Sequence, residues 1–299
     1  MSKTHQNNSS TFLIVDQSAK LSYVELVLSP TNFRQTLDHV TLNSFRLLSE
    51  LTVANILLSS SLKYKGSVIL QIHGKGMVSL AVSECNNTGE FRSIIKENQN
   101  NSLKDKNHFY SFKELVEPDG GGLFVASIKP HSESMSTYQG IVQINNRGVA
   151  YSLEHYLNKS EQIKSWLKIY MNDDVAKGIL LQALPEDSSQ KKLCGWELLT
   201  HGLEQIETSE IIQNNLDDLL LRKYLNEKLI RTKNFCPIFR CTCQREKVIA
   251  SIKQLSESEF LNQRQKRNKL EVTCEFCGTV FFIAPEELDK TFKTRGVTE

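Results

Sequence analysis

The longest unbroken apolar run in this 299-residue chain, Val280 to Ala284, has five residues, against the ~20 a helix needs to cross a bilayer. A transmembrane helix is excluded. Met1 to Thr11 is polar and rich in Asn and Ser, without the basic start and apolar stretch of a secretory signal. A short disordered tail over 1–11 of a cytoplasmic protein is expected. An excess of one charge is also missing: 36 Lys and Arg against 34 Asp and Glu leave +2, where a strongly basic total would point to nucleic acid. The seven histidines are scattered, with neither a His-Glu-x-x-His pair nor a Gly-x-Ser-x-Gly elbow. His73-Gly74-Lys75-Gly76 lacks the spacing and following helix of a phosphate loop and reads as a hairpin turn. Nothing here argues for an enzyme.

Cysteine is what the chain does have. Seven of them without an export signal argue for reduced thiols rather than a disulfide framework. Four are paired as Cys241-Thr-Cys243 and Cys274-Glu-Phe-Cys277, with 30 residues between the pairs. They read as one metal site. Two thiolate pairs supply the four soft ligands that Zn²⁺ takes in a closed tetrahedral site, one ion per chain, with no position left for substrate. Each pair is also close enough in sequence to become a disulfide, so oxidation could remove all four ligands at once. Spacing alone ranks an inert structural site ahead of a redox switch and leaves both open.

Two other functions compete. A thiol-disulfide oxidoreductase needs its Cys-x-x-Cys to open a helix, whereas Gly278 to Ile283 is strand-like. A zinc-stabilised nucleic-acid-binding protein is suggested by Arg264, Lys266, Arg267 and Lys269, but no aromatic side chains interleave that cluster. Arg240, Arg245 and Lys247 beside the first cysteine pair read instead as balancing the negative charge of a zinc tetrathiolate. Cys85, Cys194 and Cys236 read as partly buried small residues.

The pattern predicts an α+β protein: an N-terminal mixed sheet-and-helix core over 12–186, a helical linker over 187–232, a small zinc-binding α+β module over 233–290 and a tail over 291–299. In the core, 12–28 reads as a hairpin, about 30–58 as one long amphipathic helix, 68–82 as a second hairpin and 86–108 as a mobile surface loop. Leu123–Ile128, Gly140–Ile144 and Gly178–Leu184 read as strands, and Val149–Asn158 as a helix. The linker interleaves acidic residues with an apolar face that includes Trp196, Leu199, Leu203, Ile211, Ile212, Leu216 and Leu220. The module reads as a strand near Pro237–Arg240, helices through 244–266, a hairpin around the second cysteine pair and a short helix after Pro285. Structural zinc contributes on the order of 10–16 kcal/mol, comparable to a whole domain's net stability of roughly 5–15 kcal/mol. Its loss should unfold 233–290. If the linker rests on that module, its apolar face would then be exposed.

Tyr64-Lys-Gly66, Tyr138-Gln-Gly-Ile-Val142, Leu157-Asn-Lys-Ser-Glu-Gln162, Gly178-Ile-Leu-Leu-Gln-Ala-Leu-Pro185, Phe239-Arg-Cys-Thr-Cys-Gln-Arg-Glu246 and Val272-Thr-Cys-Glu-Phe-Cys-Gly278 occur in this order. In these segments the chain resembles the heat shock protein 33 family of redox-regulated holdase chaperones. The resemblance implies zinc on Cys241, Cys243, Cys274 and Cys277 in a reduced, inactive monomer. It further implies that oxidative stress under unfolding conditions joins Cys241 to Cys243 and Cys274 to Cys277 and releases the metal. The linker then unfolds, and a homodimer holds unfolded client proteins until ATP-dependent chaperones take them. The linker residues from Trp196 to Leu220 named above are the candidate client-binding surface. The chain departs from the family at Tyr224-Leu-Asn-Glu-Lys228 and Gln265-Lys-Arg-Asn-Lys-Leu270, with the four cysteines untouched.

Overall fold

The computed structural model describes residues 6–14, 19–29, 31–61, 65–98, 108–132, 136–184, 191–223, 229–252 and 270–284. They form two compact units, Met1–Arg240 and Cys241–Glu299. In the first, the chain runs β1 (Asn8–Ile14), β2 (Ala19–Val27), α1 (Asn32–Gln35), α2 (Leu42–Ser60), β3 (Gly66–His73), β4 (Val78–Asn86) and β5 (Glu90–Glu97). It continues through α3 (Phe112–Val116), β6 (Leu123–Pro130), β7 (Tyr138–Gln143), α4 (Val149–Lys159), β8 (Ser165–Met171) and β9 (Val175–Ala183). Three helices follow, α5 (Lys191–Glu204), α6 (Thr208–Gln213) and α7 (Leu216–Lys223), then β10 (Leu229–Phe235) and β11 (Ile238–Phe239). The mixed α+β class expected from the sequence is what the structure has.

The strands make a five-stranded sheet, β10-β1-β2-β9-β8, and a six-stranded sheet, β11-β5-β4-β3-β6-β7. All pairs are antiparallel except β11 with β5. Helix α2 packs against strands of both sheets, and 16 of its 19 residues are buried. A helix enclosed on all sides needs no polar face, so its serines, threonine and asparagines are buried too and most bond to backbone: Thr52 Oγ1 donates to Leu48 O and Asn55 Nδ2 to Ser83 O. The close approach requires Gly178 on β9, where a Cβ would lie 2.5 Å from Val53 Cγ1.

The long helix expected over 30–58 is two. Thr41 ends the turn after α1 and caps α2 by accepting from Ser44 N, while its own N–H and hydroxyl donate to Glu97 Oε1. Part of the expected 86–108 loop is strand β5, because Phe91, Ile94 and Ile95 bury themselves between the polar residues that suggested a loop. Residues 99–107 lie outside the described residues. Residues 8–11, expected in the tail, belong to β1.

Helices α5–α7 cover the five-stranded sheet on the face away from α2. Leu199, Leu203, Ile206, Ile211, Leu216, Leu219 and Leu220 pack with Phe12, Leu21, Tyr23, Tyr170, Ile179 and Leu181, and Trp196 and Ile212 are partly buried against them. The linker's apolar face is therefore covered by the core sheet. At ~1.5–3 kcal/mol per buried side chain, such a layer gains on the order of 10 kcal/mol before ordering entropy is subtracted. The module boundary also moves. Residues 233–240, placed in it by sequence, lie in the first unit, with β10 on β1 and β11 on β5.

The second unit contains α8 (Arg245–Ile252) and the hairpin β12 (Leu270–Thr273) with β13 (Val280–Ile283). Ile252 and Ile283 are buried, with Val248, Ile249, Leu270, Val272 and Phe281 partly so. A core as small as these described residues make needs a staple. The remainder of the helix expected through 266, the helix after Pro285 and the 291–299 tail lie outside the described residues.

Candidate metal centre

The described part of the second unit is arranged around its cysteines. Cys241 and Cys243 lie just before α8, and Cys274 and Cys277 lie in the turn of the β12–β13 hairpin. Thr273 pairs with Val280 across the hairpin. Within the turn, Cys274 N donates to Thr279 O and Gly278 N donates to Cys274 O, at 2.9 and 2.8 Å. Gly278 adopts φ +70°, the left-handed conformation that glycine takes without a Cβ penalty. This turn brings the second cysteine pair onto the first.

All four sulfurs lie within 4.8 Å of one another. Cys241 and Cys274 Sγ are 3.6 Å apart, and Cys243 and Cys277 Sγ 3.5 Å. A tetrahedron of sulfurs ~2.3 Å from one zinc ion has edges of about 3.8 Å, whereas a disulfide bond is ~2.05 Å long. The spacing therefore fits one ion among four free thiols. Among the described residues no carboxylate or imidazole joins the cluster, and an all-sulfur donor set suits a soft or borderline metal.

The thiols do not have equal surroundings. Burial pushes Cys243 up, and its three thiol neighbours add to the effect. Burial also raises Cys274, opposed by the backbone N–H groups of Phe276 and Cys277. For Cys277 burial acts upward, but hydrogen bonds from the Thr279 side chain and backbone and from Cys243 and Cys241 outweigh it, bringing the thiol down to about 7. A bound divalent cation lowers every thiol it touches.

Of the cations expected near the site, Arg245 Nη2 donates to Phe282 O and Lys247 Nζ to Thr242 O, both within the second unit. Arg240 instead pairs with Glu90 in the first. The basic cluster 264–269 lies outside the described residues. Cys236 is exposed, and Cys85 is fully buried, with burial pushing its thiol up to about 12. The Cys194 side chain lies outside the description. Sequence reasoning missed Thr279 and the turn donors around Cys274, which only the hairpin register reveals. The strand after Cys277, expected in place of a redox helix, is β13. No helix among the described residues is long and apolar enough to cross a membrane.

Comparison with known proteins agrees with this architecture. The model of the family described as "Hsp33 protein" matches residues 10–284. The 33 kDa chaperonin of Chromobacterium violaceum is 30% identical over 82% of this chain and 80% of its own length. That of Shewanella sp. (strain W3-18-1) is 31% identical over 85% of each. In structure, the 33 kDa chaperonin (heat shock protein 33 homolog) of Thermotoga maritima superimposes with a TM-score of 0.79, covering 97% of this chain and 99% of that one at 20% identity. With its fold and its family model in agreement over nearly the whole length, the chain belongs to the Hsp33 family, whose members are chaperones and not enzymes.

Proposed function

We propose that this chaperone is a holdase switched by the redox state of Cys241, Cys243, Cys274 and Cys277. The observation that carries the reading is the cluster of four sulfurs within 4.8 Å in a unit whose described residues bury only Ile252 and Ile283 as apolar side chains. In the reduced state the four thiolates would hold one zinc ion, which supplies the cross-link that the core lacks. Two two-electron oxidations then join Cys241 to Cys243 and Cys274 to Cys277, and two molecules of hydrogen peroxide are reduced to water. No ligand remains. The new loops are only three and four residues long, and each returns at most ~2 kcal/mol by the loop-entropy model.

Disorder in the second unit has a covalent route to the first. Only Arg240 separates Cys241 from β11, and this end is held to β5 by Ile238 N donating to Gly89 O and Arg240 N donating to Phe91 O, with β10 and α7 preceding it. Loosening these elements exposes the apolar surface of α5–α7, with Trp196, Leu199, Leu203, Ile211, Ile212, Leu216 and Leu220 as the client-binding face. An apolar, adaptable surface suits unfolded chains of many sequences. The oxidised protein acts as a homodimer in the cytoplasm, and clients pass to ATP-dependent chaperones.

The test is light scattering from a thermally unfolding client, with metal-loaded reduced protein compared to peroxide-treated protein at elevated temperature. Suppression by the oxidised form alone is expected. Equal suppression by both forms, or by neither, overturns the redox switch.

A further inference from the structure

Beneath the apolar helices of the linker lies a buried ion pair. Glu25 on β2 and Lys177 on β9 are direct cross-strand partners, exposed by only 4% and 0%, with Lys177 Nζ 3.3 Å from Glu25 Oε1. Both occupy the sheet face that α5–α7 cover, in line with Tyr23 and Ile179. Both also reach the linker backbone. Lys177 Nζ donates to Asn214 O at 2.7 Å, and Glu25 Oε1 accepts from Leu216 N at 2.7 Å. Asn214 and Leu216 flank the junction of α6 and α7, so the pair grips the two peptide groups where one helix ends and the next begins. Beside it, Arg231 Nη2 on β10 lies 2.9 Å from Asp217 Oδ1.

A buried ion pair is a poor choice for stability alone. An apolar pair of the same volume is often as good or better, because two charges must be stripped of water. At a permanent interface that penalty brings nothing. At a releasable one it has a direction: lifting the helices returns water to both charges, so undocking recovers part of the cost of exposing apolar surface. Removing one partner is a different matter, since the other charge then loses its cross-strand counter-ion while still buried whenever the helices are docked.

We infer that Glu25 and Lys177 form a polar latch that holds the α6–α7 junction on the sheet and sets how readily the linker is released. The inference rests on the proposal that linker release is the active state. With the latch intact, docking is tight but reversible. With one half missing, the helices leave the sheet without oxidation.

The experiment uses full-length, metal-loaded, reduced protein carrying Lys177→Met or Glu25→Gln. Hydrogen exchange is followed in 191–223 and in β3, β4 and β6, alongside client light scattering. Expected are exchange on the order of 100-fold faster in 191–223, unchanged protection in the six-stranded sheet, and suppression of client aggregation without oxidant. Unchanged exchange in 191–223 overturns the latch. Loss of protection throughout the first unit also overturns it, since the pair would then serve the fold as a whole. Should Lys177→Met not fold, Glu25→Gln decides, because it keeps an acceptor for Leu216 N–H. If 191–223 opens but no client is held, the latch stands and the holdase reading fails.

Discussion

Glu50 on α2 borders two adjoining hollows of the first unit, one lined by Tyr151, Glu154 and Trp166, the other by Arg46, Phe109 and Tyr110. Burial pushes its carboxyl from 4.5 up to about 7, against the pull of Arg46. The folded protein therefore holds a proton here that the unfolded chain gives up. The associated stability is fully present below pH ~4.5 and is lost as pH rises through about 7. Glu50→Gln cannot acquire this partly buried charge. Its thermal midpoint should match the wild type near pH 4.5 and exceed it at pH 8, by the equivalent of ~1–3 kcal/mol, as read by calorimetry at the two pH values. The same residue-level reasoning explains what the sequence showed of the cysteine cluster. The four clustered cysteines were legible because cysteine pairs at short spacing have few other uses. Glu25 and Lys177 were not, since a lone charge within Leu21–Leu28 or Val175–Leu181 looks like any solvated residue until the register places the two face to face.

Among the elements, those marked by local alternation or a bounding turn residue were readable, and those borrowed by a distant partner were not. Helix α4 and strands β6, β7 and β9 lie close to where alternation and turn residues put them. Strand β10 was hidden because its partner β1 is far away in sequence, and a pairing of that kind leaves no local periodicity, whereas β11 falls within the strand expected near Pro237–Arg240. The break between α1 and α2 was masked by apolar residues such as Leu37, which is buried in the turn as it would have been in a helix. Packing of α2 on β9 is the element contact most open to test. Gly178→Val places a side chain where even a Cβ comes within 2.5 Å of Val53 Cγ1 and 2.8 Å of Leu57 Cδ1. Overpacking of this kind costs ~1–3 kcal/mol. The urea midpoint should fall with little change in slope.

For the molecule as a whole, the two units differ in what holds them. The first has a continuous core around α2, from Val24 to Leu180; the second has two fully buried apolar residues among those described. Chelation of the reduced protein should therefore melt the second unit selectively. Amides of β12 and β13 should lose protection on a strong chelator while β3, β4 and β6 keep theirs, and readdition of zinc should restore it. Equal loss in both units would mean that their stabilities are not separable.

Strand β9 leads into α5 and strand β10 leads out of α7, and both are members of one five-stranded sheet. In polymer terms the linker is a loop pinned at both ends rather than a free arm. While those two strands stay paired, a released linker searches a volume set by its own contour, at an effective concentration of order millimolar relative to its seat on the sheet. Each doubling of such a loop would change its closure entropy by only about 0.6 kcal/mol. Return of the helices is thus a first-order event that needs no partner and no dilution-sensitive encounter, and a client bound to them competes at every moment with the chain's own sheet.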